Sequence, residues 1–349
     1  MYKINPKEFT ILIVDDTPAN LQILGKNLNM RGFKIQVATG GKKAISMADK
    51  SLPDLILLDI NMPDMNGYNV CKYLKNNEST KDIPIIFLTA RAEGEDIVNG
   101  FNAGGVDYIT KPFNTSELFS RVETHIALRE SYKKLERAYS TIEEDLNAAA
   151  SIQRSTLPPQ SVVINGVAFN SLFIPSNYVS GDTFKYFKLD DTHTVFFMID
   201  VSGHGVPSSY LSFLLNNTLN SKFSSENPVY QIENDDKYRI STPTEVMNKM
   251  NSLFPEESNS SQYFTLLYGI IDNSKNSVAF SQGGHPSPLL IKPGENAEMI
   301  EGTGYPLGMF ESPDFDEKEI KFDKGMKFIV YSDGIMDITD NDQNRLGTE

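Results

Sequence analysis

Residues 55–68 read LILLDINMPDMNGY: an apolar run that ends on Asp59 and gives way to Pro63, Asn66 and Gly67. A short apolar run bounded by turn residues reads as a strand buried on both faces. Similar runs lie around it at Ile11–Val14, Ile35–Ala38, Ile83–Leu88 and Val106–Ile109, with helical patterns between them. Continuous apolar strands alternating with helices predict a doubly wound, five-stranded parallel α/β sheet over residues 10–125, after a tail at 1–9. Functional groups in such sheets gather where the strands end. Those ends carry Asp15 and Asp16 after the first run, Asp59 after the third, Thr89 after the fourth and Lys111 after the fifth.

Clustered carboxylates repel one another unless a cation is present. Mg2+ suits this set, because it takes a few carboxylates together with waters and phosphate oxygens. Asp59 can then attack a phosphoryl donor, Lys111 can pair with the new anion, and Thr89 can hydrogen-bond it. Helix capping explains any one of these acids but not the whole set at successive strand ends.

The strings ILIVDD (11–16), LILLDINMPDMNGY (55–68), IIFLTA (85–90) and DYITKPF (107–113) resemble a response-regulator receiver domain of the CheY-like, flavodoxin-like fold. The resemblance implies phosphorylation at Asp59 and a Mg2+ site made by Asp15, Asp16 and Asp59. It implies Thr89 and Tyr108 as the switch pair, and Lys111 as the family's lysine, joined to Pro112 by a cis bond. A sensor histidine kinase is the implied donor. The implied consequence is repacking of the surface from about residue 91 to 112, where receivers commonly dimerise.

Leu128, Tyr132, Leu135, Tyr139, Ile142, Leu146 and Ala149 then recur in alternating steps of four and three, with polar residues between. This seam favours a partner helix, so a coiled-coil signalling helix over 126–157 and a homodimer are expected. A single amphipathic helix lying on a domain surface is the alternative. Pro158 and Pro159 stop the helix.

Beyond Pro159 the period falls towards two, in HTVFFMID, YFTLLYGIID, NSVAFSQ, SPLLIKP and MKFIVYSDG. Antiparallel strands with two helices, one from Val206 and one capped by Thr242 and Glu245, predict an α+β sandwich over 158–349. The acidic stretch SSENPVYQIENDDKYRIS (224–241) reads as a loop. Asp182, Asp200 and Asp333 each sit beside glycine or a short turn, where backbone carbonyls can also reach a metal. An all-oxygen set suits Mg2+ or Mn2+, although Asp-Gly pairs are also ordinary turn residues.

SGD (180–182), IDVSGHGVPSSYLS (199–212), QGGHPSPLL (282–290), GYPLG (304–308) and YSDGI (331–335) resemble the sporulation-E-type branch of the metal-dependent (PPM) serine/threonine phosphatases. AAASIQRSTLPP (148–159) resembles the segment that leads into that domain. The resemblance implies two Mn2+ or Mg2+ ions bridged by Asp200, assisted by the Val201 carbonyl, with Asp333 on the second ion and Asp182 supporting the cluster. Three departures stand beside it. Ser180 and Lys185 replace family residues, and no phosphate-binding arginine is present. The family's last ligand lies in a strand expected beyond Glu349, since Asp337, Asp340 and Asp342 have the wrong spacing; either the sequence is a fragment or the domain has lost a ligand and a closing strand. His204 and His285 lie in the motif loops, where a loop-fixing hydrogen bond is the expected role and contact with substrate or metal-bound water the alternative. His125 and His193 read as structural or exposed.

The implied function is a two-component regulator whose Asp59 phosphorylation controls a protein phosphatase. The implied substrate is a phosphorylated anti-sigma-factor antagonist. The alternative is a phosphorylation-controlled adaptor whose impaired phosphatase-like domain binds a regulatory protein. Net charge of −14 over 349 residues and a pI near 4.8 argue against nucleic acid or anionic membrane as partners. The start MYKINPKEFT lacks a signal-peptide apolar segment, so a cytoplasmic location is expected. Cys71, the single cysteine, falls at an apolar helix position and reads as core filler.

Overall fold

The computed structural model describes residues 4–90, 94–220, 227–234, 237–255, 262–336 and 338. The chain divides into two compact units, Met1–Thr141 and Ile142–Glu349.

The first unit alternates strand and helix as the apolar runs predict: β1 (Thr10–Val14), α1 (Pro18–Arg31), β2 (Lys34–Ala38), α2 (Gly41–Ser51), β3 (Leu55–Asp59), α3 (Gly67–Lys75), β4 (Ile85–Thr89), α4 (Gly94–Asn102) and β5 (Asp107–Thr110). The strands pair in parallel in the order β2-β1-β3-β4-β5. Successive strand side chains point to opposite faces, so each strand feeds two cores. Leu12, Val14, Ile56 and Leu58 pack with Ala44, Val70, Cys71 and Leu74 of α2 and α3. Ile11, Ile13, Leu55 and Leu57 pack on the other face with Leu21, Leu24 and Leu28 of α1. Burial of both faces explains why these strands are apolar throughout. Cys71 is buried, and its thiol donates to the Ala103 carbonyl at 3.2 Å.

A single helix, α5 (Thr115–Thr156), follows, 42 residues and so about 63 Å at the α-helical rise. Its first turns bury Leu118, Val122 and Ile126 in the first unit's core. The last helix of the first unit and the heptad segment are therefore one element. Leu128, Tyr132, Leu135, Tyr139 and Ile142 are 50–66% exposed in the single chain.

The second unit contains β6 (Ser161–Ile164), β7 (Val167–Asn170), β8 (Thr183–Lys188), β9 (His193–Val201), α6 (Val206–Asn220), β10 (Tyr230–Asn234), β11 (Lys237–Ile240), α7 (Pro243–Leu253), β12 (Phe264–Asp272), β13 (Ser277–Gly283), β14 (Leu289–Ile291), β15 (Glu298–Met299), β16 (Glu317–Lys321) and β17 (Lys327–Ile329). Its main sheet has the order β16-β13-β12-β9-β8, and every pair is antiparallel. One face carries Phe197, Ile199, Leu266 and Tyr268 against α6 and α7 through Leu215, Leu219, Met247 and Met250. The other face carries Tyr186, Phe196, Leu267 and Phe280, with Phe169 of the β6–β7 hairpin and Phe328 of β17 packed on it. The capping box of α7 forms as predicted: Thr242 accepts from the Glu245 amide, and Glu245 accepts from that of Thr242.

One expectation fails. The stretch read as a loop contains β10 and β11, paired antiparallel from Tyr230↔Ile240. Buried Val229 and the packing of Tyr230 and Ile240 on the helix-side core supply the apolar anchor that the surrounding charges obscure in the sequence.

Candidate functional site

Each unit carries an acidic centre at the end of its sheet. In the first, Asp15 is fully buried just past β1, Asp59 ends β3 with 5% exposure, and Asp16 faces solvent. Each offers a carboxylate oxygen within 4.8 Å of the others. Lys111, just past β5, donates to Asp15 Oδ2 and Asp59 Oδ1, each at 2.8 Å. Burial raises the Asp59 pKa; the lysine pulls it down, and Asp15 and Asp16 push it up again. Asp15 is locked by the Thr17 amide at 2.8 Å and by Asn20 Nδ2 at 3.0 Å on both oxygens, partners that sequence reading missed. Hard oxygen donors held in this crowding fit Mg2+.

Thr89 is buried, and its carbonyl accepts from the Lys111 amide at 2.7 Å. The Lys111-Pro112 bond is cis. Tyr108, half-buried on β5, shares with Thr89 a cleft also lined by Phe87, Ile97 and Phe101. The Arg121 guanidinium of α5 sits 5.3 Å from the Tyr108 ring centroid and 2.5 Å from Asp107 Oδ1. His125 also reaches Asp107, at 3.1 Å, which makes it structural. Part of the surface expected to repack, residues 91–93, lies outside the described residues.

In the second unit Asp200 lies near the end of β9, Asp182 precedes β8, and Asp333 follows β17. Asp182 and Asp333 both interact with Asp200. Burial first, and then those two carboxylates, push its pKa up to about 8. Among the described residues only the first centre gathers three acids within 4.8 Å, so this second set is looser. Ser332 Oγ donates to Asp182 Oδ2 at 2.8 Å, a tie between the SGD and YSDGI strings that neither string reveals alone. A Cβ on Gly181 would fall 2.7 Å from the Val201 carbonyl oxygen, so that carbonyl lies against the SGD loop. The donors are all oxygen, and the raised Asp200 marks a repulsion that a divalent cation relieves, so the set fits Mg2+ or Mn2+.

Lys185 pairs with Phe197 and shares its helix-side face, whereas Asp200 points to the opposite face. It therefore does not replace a ligand, and burial lowers its pKa. His285 is buried and bonds Thr265 Oγ1 through Nδ1 at 2.9 Å; Thr265 is the cross-strand partner of Asp200. That hydrogen bond ties the His285 loop to β12. His204 is exposed and makes no hydrogen bond among the described residues. Its loop is held by Ser202, which exchanges hydrogen bonds with Tyr263 at 2.9 and 3.0 Å. His193 is structural, between Asp190 and Asp272. Asp337, Asp340 and Asp342 lie outside the described residues.

Residues 11–123 match the family model described as response regulator receiver domain. Residues 190–349 match that described as stage II sporulation protein E. The chain is 43% identical over 112 residues to the DNA-binding dual master transcriptional regulator RpaA of Synechocystis sp., covering 32% of this chain and 46% of that protein. It thus spans less than half the length of that relative. It is 34% identical over 175 residues to the transcriptional regulatory protein CpxR of Klebsiella pneumoniae, covering 48% of this chain and 73% of that one. A putative response regulator structure from Chloroflexus aurantiacus is 36% identical with a TM-score of 0.34, over 34% of this chain and 98% of that one. Among the described residues no helix is long and apolar enough to cross a membrane.

Proposed function

We propose that this chain, which belongs to the response-regulator family and joins a receiver domain to a domain of the stage II sporulation protein E family, is a phosphorylation-controlled protein serine/threonine phosphatase. The observation that carries the reading is the meeting of three separate segments: Ser332 Oγ bonds Asp182 Oδ2 at 2.8 Å and Gly181 lies against the Val201 carbonyl, which brings Asp182 and Asp333 to Asp200. Carboxylates are costly to bring together without a cation, so an adaptor with no metal chemistry has little physical use for the arrangement.

On the receiver, Asp59 is the nucleophile towards a phosphohistidine of a sensor kinase. Its oxygen bonds to phosphorus, the phosphorus–nitrogen bond breaks, and the imidazole leaves with a proton. Lys111, already 2.8 Å from Asp59, pairs with the transferred phosphoryl group; Asp15, Asp16 and Asp59 would hold Mg2+, which would neutralise the charge of that group. Thr89 hydrogen-bonds the new group, and Tyr108 moves with it. Arg121, packed on Tyr108, passes that movement to α5. On the output domain, Asp182, Asp200, Asp333 and the Val201 carbonyl would hold two Mn2+ or Mg2+ ions, which would supply Lewis acidity and water activation. The substrate we assign is a phosphorylated anti-sigma-factor antagonist, and the active form a homodimer paired along the α5 seam.

The test is phosphate release from a phosphoserine-bearing antagonist protein with Mn2+, with and without beryllofluoride on Asp59. Release that changes with beryllofluoride, and that Asp59→Ala makes insensitive, supports the reading. No release in either state, together with no Mn2+ binding at the output domain, transfers the protein to the adaptor class.

A further inference from the structure

Gln153, in the last turns of α5, reaches the loop that carries Asp182. Gln153 Nε2 donates to the Ser180 carbonyl at 2.7 Å, and the Ser180 amide donates back to Gln153 Oε1 at 3.1 Å. An amide side chain that donates to and accepts from one backbone residue fixes its orientation as well as its distance. The contact continues inward. Ser180 Oγ accepts from the Asp182 amide at 3.1 Å, and Asp182 Oδ2 accepts from Ser332 Oγ at 2.8 Å. The loop has no slack between these points, because Gly181 lies against the Val201 carbonyl with no room for a Cβ. Neighbouring Val179 and Ala150 are buried, so the pair sits at the edge of a packed contact.

We propose that Gln153 is a positioning residue of the output centre, holding Ser180 so that the Asp182 carboxylate faces Asp200, and that metal affinity there depends on the placement of the last turns of α5. The inference rests on the phosphatase reading and deepens it. Receiver phosphorylation needs only to shift these turns to change the centre, and no substrate contact is required. Groups that orient ligands in this way, without touching the metal, typically change metal affinity by about 10–100-fold when removed.

The test uses the full chain and Mn2+, followed by titration calorimetry. The output centre's share is the binding lost in Asp200→Asn. Gln153→Met keeps volume and helix propensity but removes both hydrogen bonds. Gln153→Glu keeps the acceptor for the Ser180 amide and loses the donor. The expected result is Mn2+ binding at the output centre weakened about 10-fold in Gln153→Met, less in Gln153→Glu, and unchanged at the receiver centre. Amide exchange in the metal-free chain gives a second readout: Ser180 and Asp182 exchange faster in Gln153→Met while β9 stays protected. Output-centre binding equal to wild type in Gln153→Met overturns the proposal. If Asp200→Asn removes no Mn2+ binding, the metal reading fails instead. Exchange then decides the clamp by itself, and unchanged Ser180 and Asp182 rates overturn it. If Gln153→Met melts the end of α5, Gln153→Glu carries the same comparison.

Discussion

A methyl group at Gly67 would fall 2.2 Å from the Asp59 carbonyl oxygen and 2.9 Å from Ile60 Cα. Both obstacles are backbone, so nothing flexible can give way. Gly67→Ala is expected to cost about 1–3 kcal/mol or more, as overpacked sites do, and to displace Asp59. Its receiver transition in urea falls to lower denaturant, and its rate of phosphoryl uptake drops with it. At Asp200 the prediction concerns pH. The carboxyl ionises near 3.8 when unfolded but only near pH 8 in the folded, metal-free centre. Between those values the folded state binds more protons than the unfolded one, so stability falls as pH rises through that window. Scanning calorimetry of the metal-free chain should show the output transition melting lower at pH 8 than at pH 5. Asp200→Asn flattens the difference, and Mn2+ reverses it at pH 8. A transition that melts at the same temperature at both pH values would mean that the three carboxylates do not repel as their proximity requires. Residues of this kind are legible in sequence because acids at strand ends stand out beside apolar runs. Gln153 and Ser332 are not, because each acts through a hydrogen bond whose partner only the fold brings near.

At the scale of elements, strands buried on both faces announce themselves. β1, β3 and β4 carry uninterrupted apolar runs, and β9 and β12 are nearly as plain. β16, with the sequence EKEIK, does not, because it is an edge strand with charge on its exposed side. The β10–β11 hairpin hides for a similar reason, its few anchoring residues diluted by Asp and Glu. The expected loop fails because dense charge does not exclude structure: one buried valine and two packed side chains suffice to seat a short hairpin. The helix α5 is legible in its period and in its stop at Pro158 and Pro159. The boundary expected at residue 126, between receiver and signalling helix, falls inside the single element Thr115–Thr156, so that one helix carries both Arg121 on Tyr108 and Gln153 on Ser180. Leu135→Pro tests what that continuity does. Proline removes a backbone donor and clashes one turn back, at about 3 kcal/mol or more. Asp59 should still take up phosphate, while Mn2+-dependent release stops responding to it. A response that survives Leu135→Pro would show that the signal passes by a route other than α5.

At the scale of the whole molecule, the apolar seam of α5 calls for a cover. Five side chains from Leu128 to Ile142 stay 50–66% exposed in one chain, and all lie on a single heptad stripe. Leu or Ile at alternate seam positions and Tyr at the others is a surface that a second copy covers with identical residues, through a two-fold interface that closes on itself. The flanking charges favour a parallel pair. Glu136 and Glu143 then face Ser131 and Ala138, whereas an antiparallel pair centred near Tyr139 sets the two glutamates against each other. Against association stands the net charge of −14 per chain, a repulsion that salt screens. Sedimentation of the full chain should therefore show a dimer that tightens as salt rises. Leu135→Asp removes two buried leucines per dimer, each worth about 1.5–3 kcal/mol, and adds like charge within the seam. The dissociation constant should rise by about a hundredfold or more, with the receiver still able to take up phosphate. Wild-type chain that sediments as a monomer at tens of micromolar in high salt would rule out the self-paired seam, and α5 would then have to act within a single copy.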